Sequence, residues 1–139
     1  MKRATDSDGG RNDASYRLDM INAADEIRTM TRGVTEAAFL KSLVLIRAVE
    51  RDLGVIGEAA SKFSIGARRQ YPDVPWEEIV GLRTHLIHFY FTVDPSIVWN
   101  TAKKDAPELA RALRRHELKK TSLQIDSEIE RMLKRKKKR

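Results

Sequence analysis

The 139-residue chain is 41% hydrophobic and 34% charged, the balance of a helix-rich domain long enough to build a real core. It has no cysteine, which excludes disulfides, a thiol nucleophile and thiolate metal sites. The formal charge is +7, but the last nine residues, RMLKRKKKR, hold seven Lys or Arg, and residues 1–130 carry 20 charges of each sign, so the basic excess is a tail and not a folded face.

Residues 1–14 (MKRATDSDGGRNDA) are polar, contain a Gly pair and show no periodicity, so they read as a disordered leader. They lack the apolar stretch of a signal peptide, and no apolar run in the chain approaches the ~20 residues of a membrane span. The expectation is a cytoplasmic protein with no membrane association. A helical domain is expected over residues 15–120. Tyr16, Met20, Ala23, Ile27, Met30 and Val34 alternate steps of four and three, the stripe of a first helix that stops near Gly33.

Thr35-Glu36 opens a second, long helix from about Glu36 to Phe63, with Leu43, Ile46, Val49, Leu53, Ile56, Ala60 and Phe63 on one stripe. Val44, Ala48, Val55 and Ala59 widen that stripe, as expected of a central helix covered on much of its surface. Gly54 and Gly57 each cost about 1 kcal/mol of helix propensity against alanine, which points to close approach by a neighbouring helix. A short segment, Ile65 to Tyr71, follows.

Pro75, with Glu77 and Glu78 behind it, suits a helix start. This third long helix carries LRTHLIHFYF (Leu82 to Phe91) and ends before Asp94-Pro95, a capping residue followed by a good first residue. The next helix turns Val98, Ala102, Ala106, Leu109 and Leu113 inward, and Pro107 is expected to kink or restart it with Asp105 as cap. Residues 121–139 read as a short amphipathic helix, opened by a Thr121/Gln124 capping box and carrying Ile125, Ile129 and Met132, then the basic tail. That tail is either a solvated, frayed end or a tether that attracts phosphate. No strand alternation, hairpin turn or internal repeat is present, so the fold class is all-α, an antiparallel up-and-down helical bundle.

The helix after Pro75 has two apolar stripes. Ile79, Leu82, Leu86 and Phe89 form one. Trp76, Val80, Ile87 and Tyr90 form the other, with Arg83 in its missing place. A helix apolar on two sides needs two packing surfaces, and a second subunit related by a two-fold axis supplies the other, so dimerisation through this helix is expected. Arg83 in that stripe needs an acid, a phosphate or water, with Glu58 and Asp52 as candidate acids. Arg83 and His88 project roughly 140° apart from a regular helix, so they converge only at a helix end or across a dimer. His85 and His88 share a face, yet two histidines without a third ligand do not make a zinc site, and no metal or cofactor is expected. The bland alternative is a structural Arg–Glu clamp with hydrogen-bonded histidines. The chemical alternative is a minimal kit for RNA cleavage: a histidine moves protons near neutral pH, an arginine holds a phosphate, and RNA supplies its own 2'-OH nucleophile.

The runs IGEAA (Ile56 to Ala60) and YPDVPWEEIVGLRTHLIHFYFTVDPSIVWNTAKKDAPEL (Tyr71 to Leu109) resemble the HepT-type toxins of the HEPN superfamily, over roughly Ser15 to Arg115. The family signature of Arg, four to six residues, His, any residue, Tyr is met by Arg83, THLI, His88, Phe89 and Tyr90. The resemblance implies a dimer whose two motifs meet in one cleft, and a metal-independent endoribonuclease acting as the toxin of a toxin–antitoxin pair. It implies a minimal nucleotidyltransferase antitoxin as partner, transferring AMP from ATP to the motif tyrosine. On this reading Arg83 stabilises the phosphate, His88 is the acid/base and Tyr90 is the AMPylated residue. The position after the motif arginine, usually Asn or Asp, is Thr84, a hydroxyl in a supporting role. His85 sits where relatives are often basic and is a candidate RNA contact, and Phe89 replaces a commonly small or polar residue. Two other readings stay open: a non-catalytic HEPN dimer that docks a nucleotidyltransferase, and a nucleic-acid binder working through its Lys/Arg tail.

Overall fold

The computed structural model describes residues 11–88 and 94–137, without the side chains of residues 85, 87, 88 and 116–120. Helix α1 spans Asp13–Thr31, α2 Glu36–Leu40, α3 Leu43–Lys62, α4 Ile65–Arg68, α5 Trp76–His88, α6 Pro95–Asn100 and α7 Ala106–Lys137. A π turn, Thr101–Asp105, joins α6 to α7. Among the described residues there is no strand, so the all-α reading holds.

Helix α1 begins two residues inside the segment expected to be leader. The Asn12 side chain caps it by accepting from the Ser15 N–H at 3.0 Å. Asp13 ties the start of α1 to the segment after α3, accepting from the Ser64 N–H at 2.8 Å and the Ser64 hydroxyl at 2.7 Å. The expected α1 stripe is buried at Tyr16, Met20, Ala23 and Ile27.

The single helix expected from Glu36 to Phe63 is two. Ser42 ends the first and caps the second, accepting from the Leu45 N–H at 3.2 Å. The short α2 turns Phe39 into the core, where its ring lies 5.0 Å from that of Trp99. Helix α3 then packs against α1 and α5. Ile46, Val49, Leu53, Ile56, Ala60 and Phe63 are buried, whereas Leu43 and Val44, expected in the covered stripe, are exposed at the helix start.

Of the two glycines on α3, only Gly57 serves a close approach. A Cβ there would lie 2.8 Å from the Arg83 backbone nitrogen and 3.2 Å from the Ile79 carbonyl oxygen, whereas one on Gly54 would meet nothing within 4 Å. The start of α5 is held by Trp76, whose indole N–H lies within reach of the Arg68 carbonyl (3.1 Å) and the Tyr71 carbonyl (3.2 Å), beside the rings of Phe63 and Tyr71.

Asp94 caps α6 as expected, accepting from the Ser96 N–H at 2.9 Å, with Pro95 first in the helix. Pro107 does not restart the helix, and Asp105 is inside the helical run instead of capping it; the distortion expected at Pro107 takes the form of the π turn. Pro107 cannot donate to the carbonyl one turn back, and the preceding turn widens instead, the Ala106 N–H reaching the Thr101 carbonyl. The Thr121/Gln124 pair opens no new helix either. Between Pro107 and Lys137 there is no Gly or Pro, so α7 runs unbroken for 32 residues, and the basic tail, read as a frayed end or a phosphate tether, is helical through Lys137.

Candidate functional site

Arg83 is placed by the α3–α5 crossing. The missing Cβ at Gly57 lets the α5 backbone ride against α3 at that residue, and Glu58, next along α3, then reaches the guanidinium. Arg83 Nε lies 2.7 Å from Glu58 Oε2, with the Arg83 side chain 50% exposed and that of Glu58 38% exposed. Glu58 is shared, since Lys62 Nζ sits 3.6 Å from its other oxygen one turn further on. Asp52, the other candidate acid, faces away. It is buried against Glu26 of α1, and burial, with a hydrogen bond to Glu26 and repulsion by its charge, pushes the Asp52 carboxyl up to about 6.

Arg83 and Glu58 line a cavity of about 440 Å³ together with Arg11, Tyr16, Asp19, Arg51 and Lys62. Four cations against two acids give it a net positive lining. Arg11 is paired with Asp19, and both Arg11 and Lys62 stand over the Tyr16 ring, at 5.4 and 6.0 Å from its centroid. These residues come from three separate stretches of chain, so reading α5 alone misses them. A trace is nevertheless present in α3, where Arg51, Gly54, Glu58 and Lys62 recur at helical spacing opposite the main apolar stripe. A second cavity, of about 350 Å³, lies against α5 but is lined by Asp73, Glu78, Asp105 and Glu108 as well as Arg111 and Arg115, which disfavours a phosphate ligand. There burial and the neighbouring Glu108 raise the Asp105 carboxyl above its usual range.

Thr84 is exposed on α5, and His85 and His88 lie on the same helix, His88 as its last residue. The side chains of both histidines lie outside the described residues, as do Phe89 and Tyr90 entirely. Five residues separate Arg83 from His88, so on the regular helix observed their Cα–Cβ directions differ by roughly 140°. The helix itself therefore does not turn them toward one point.

The HepT-like family, described as ribonuclease HepT-like, matches residues 20–116, a span that takes in the Gly57 crossing, the Glu58–Arg83 pair and the whole Arg83–Tyr90 segment. The chain belongs to the HepT-like family. Relatives of this HepT-like chain include "Putative RNase TTE0752" of Caldanaerobacter subterraneus subsp. tengcongensis, 41% identical over 71% of this chain and 88% of its own length. "Probable ribonuclease HepT" of Thermococcus cleftensis is 36% identical over 71% of this chain and 90% of its own length. "Putative RNase MJ1380" of Methanocaldococcus jannaschii is 33% identical over 70% and 89% respectively. No solved structure matches the chain significantly. Among the described residues no helix is long and apolar enough to cross a membrane.

Proposed function

We propose that this HepT-like chain is a metal-independent endoribonuclease, the toxin of a toxin–antitoxin pair, acting as a homodimer through Arg83 and His88. The observation that carries the reading is the position of Arg83: fixed in the backbone by the Gly57 crossing, half exposed, and open to a cavity lined with an excess of cations. A two-fold axis crossing α5 at right angles, between the two residues, would set the Arg83 of one copy beside the His88 of the other and so overcome their divergence on a single helix.

In the reaction the RNA 2'-OH attacks the adjacent phosphorus while His88 takes its proton. The guanidinium of Arg83 stabilises the charge that grows on the non-bridging oxygens, the P–O5' bond breaks, and a protonated histidine gives its proton to the leaving 5'-oxygen. The products are a 2',3'-cyclic phosphate and a 5'-OH. Thr84 and His85 are assigned supporting contacts to the RNA. Glu58 neutralises and orients Arg83 before the substrate phosphate arrives. The antitoxin is a minimal nucleotidyltransferase that adds AMP from ATP to Tyr90, placing bulk and negative charge where the RNA phosphate must enter. His88→Ala and Arg83→Ala are expected to abolish RNA cleavage with the dimer intact, and cleavage should persist in EDTA; loss of activity in EDTA would overturn the mechanism. Intact-mass measurement of protein co-produced with its antitoxin should show AMP additions that Tyr90→Phe removes.

The Arg83–Glu58 ion pair also favours a second reading, a non-catalytic dimer that uses the pair as a clamp and docks the nucleotidyltransferase. On that reading the wild-type protein leaves RNA uncut under all conditions and still co-purifies with the partner.

A further inference from the structure

From Thr121 to Lys137 every residue of α7 is exposed, including Leu123, Ile125, Ile129, Met132 and Leu133, each at 50–67%. This arm lies beyond the family match, which ends at residue 116. It extends about 25 Å at 1.5 Å per residue. A helix of such length gains most of its stability from packing an apolar face, and among the described residues no part of its own bundle covers this one.

The face has a defined spacing. Ser122, Ile125, Ile129, Met132 and Lys136 alternate steps of three and four, the seam of a two-helix coil, with Leu133 at its edge. Charges flank the seam in a fixed order. On one side Glu128 precedes Arg135; on the other Asp126 and Glu130 precede Lys137. Each flank therefore opens acidic and ends basic, with Arg131 near the midpoint. That order is complementary to its own reverse. An antiparallel copy crossing near Arg131 and Met132 sets each Glu128 by the Arg135 of the second copy, and each Asp126 by the second copy's Lys137. Parallel pairing would instead stack the two basic ends. RNA would satisfy the bases but leave Ile125, Ile129 and Met132 in water, and an anionic membrane would meet the acids beside the seam.

We propose that residues 121–137 form an antiparallel self-association surface whose occupant is the same segment of a second copy. The surface is separate from the α5 face, so the two contacts together build an assembly larger than a dimer, closed or open according to their axes.

Light scattering on the full chain tests the idea, because Ile129 is exposed and Ile129→Glu leaves the bundle core untouched. The variant should fall from the larger wild-type assembly to the molar mass of the α5 dimer. Glu128→Arg and Arg135→Glu should each weaken the association several-fold, and the two together should restore it. The native chain has no cysteine, so single substitutions report the direction of pairing. Met132→Cys, near the crossing point, should form an intermolecular disulfide readily. Ser122→Cys should not, its two copies being about 28 Å apart along the coil. Equal cross-linking at both positions, an unchanged mass for Ile129→Glu, or association that appears only with added RNA or anionic vesicles would overturn the proposal.

Discussion

Gly57→Ala probes the contact on which the placement of Arg83 depends. The new Cβ would stand 2.8 Å from the Arg83 nitrogen, 3.0 Å from its Cβ and 3.2 Å from the Ile79 carbonyl oxygen. Two of these are backbone atoms of α5, which cannot swing aside as a flexible side chain would. Restoring an ordinary 3.4 Å contact requires the two helices to part by about 0.6 Å. Overpacking of this kind costs about 1–3 kcal/mol, against a helix-propensity gain of about 1 kcal/mol, so the net effect is a loss of up to about 2 kcal/mol. Gly54→Ala, three residues earlier on the same helix, meets nothing within 4 Å. It collects the propensity gain alone, about 1 kcal/mol of added stability. Urea denaturation of both variants should therefore move the midpoint in opposite directions. Cleavage by Gly57→Ala should fall by 10-fold or more, since sub-ångström misplacement of a charge-stabilising group weakens catalysis steeply, to about 100-fold for 1 Å. If Gly57→Ala is as stable as the wild type and cuts RNA normally, the crossing does not position Arg83 as argued.

Asp52, with its carboxyl raised to about 6 against a usual 3.8, binds more protons folded than unfolded between those values, so its contribution to stability is present at low pH and lost as pH rises toward 6. Asp52→Asn, which keeps a donor for Glu26, should therefore be more stable than wild type at pH 7.5, by no more than about 3 kcal/mol, with the advantage fading below pH 4 in thermal melts. Glu58→Gln releases Arg83 and Lys62 from a shared carboxylate. Because the pair is partly exposed its stability cost should stay below about 1 kcal/mol, while RNA binding tightens and becomes more sensitive to salt in a filter-binding titration. Arg51→Ala should weaken RNA binding uniformly across sequences and lower the log–log salt slope by about 1, the signature of one lost phosphate contact. Phe39→Ala, at a side chain fully enclosed beside Trp99, should cost about 3–5 kcal/mol and detach α2, seen as a large drop in melting temperature.

Periodicity located the elements that carry a strong apolar stripe. Tyr16, Met20, Ala23 and Ile27 lie inward on α1, and Asp94-Pro95 begins its helix where a capping residue and a proline should. It failed where local chemistry has two meanings. Ser42 interrupts an otherwise continuous apolar pattern, and only the inward turn of Phe39 makes the break worthwhile. Thr121 and Gln124 have the spacing of a capping box, yet a helix already running has no free N–H groups for them to satisfy. At the site, Glu58 beside Arg83 could be foreseen from their helices, because an arginine on an apolar stripe needs an acid nearby. That Asp52 pairs with Glu26, and that Tyr16 and Arg51 share a cavity with Arg83, depend on how three helices meet, which no single-helix pattern encodes.

The π turn at Thr101–Asp105 amounts to one residue more than an α-helix needs over that stretch. Deleting a residue from a helix ordinarily rotates everything after it by about 100° and turns the core face outward. Here removal of the exposed Lys103 or Lys104 would relax the turn to regular α geometry and leave Leu109 and Leu113 facing the core. The α6–α7 junction is thus a place where chain length can change by one without refolding the bundle, whereas the same deletion between Leu109 and Leu113 would turn Leu113 out of the core.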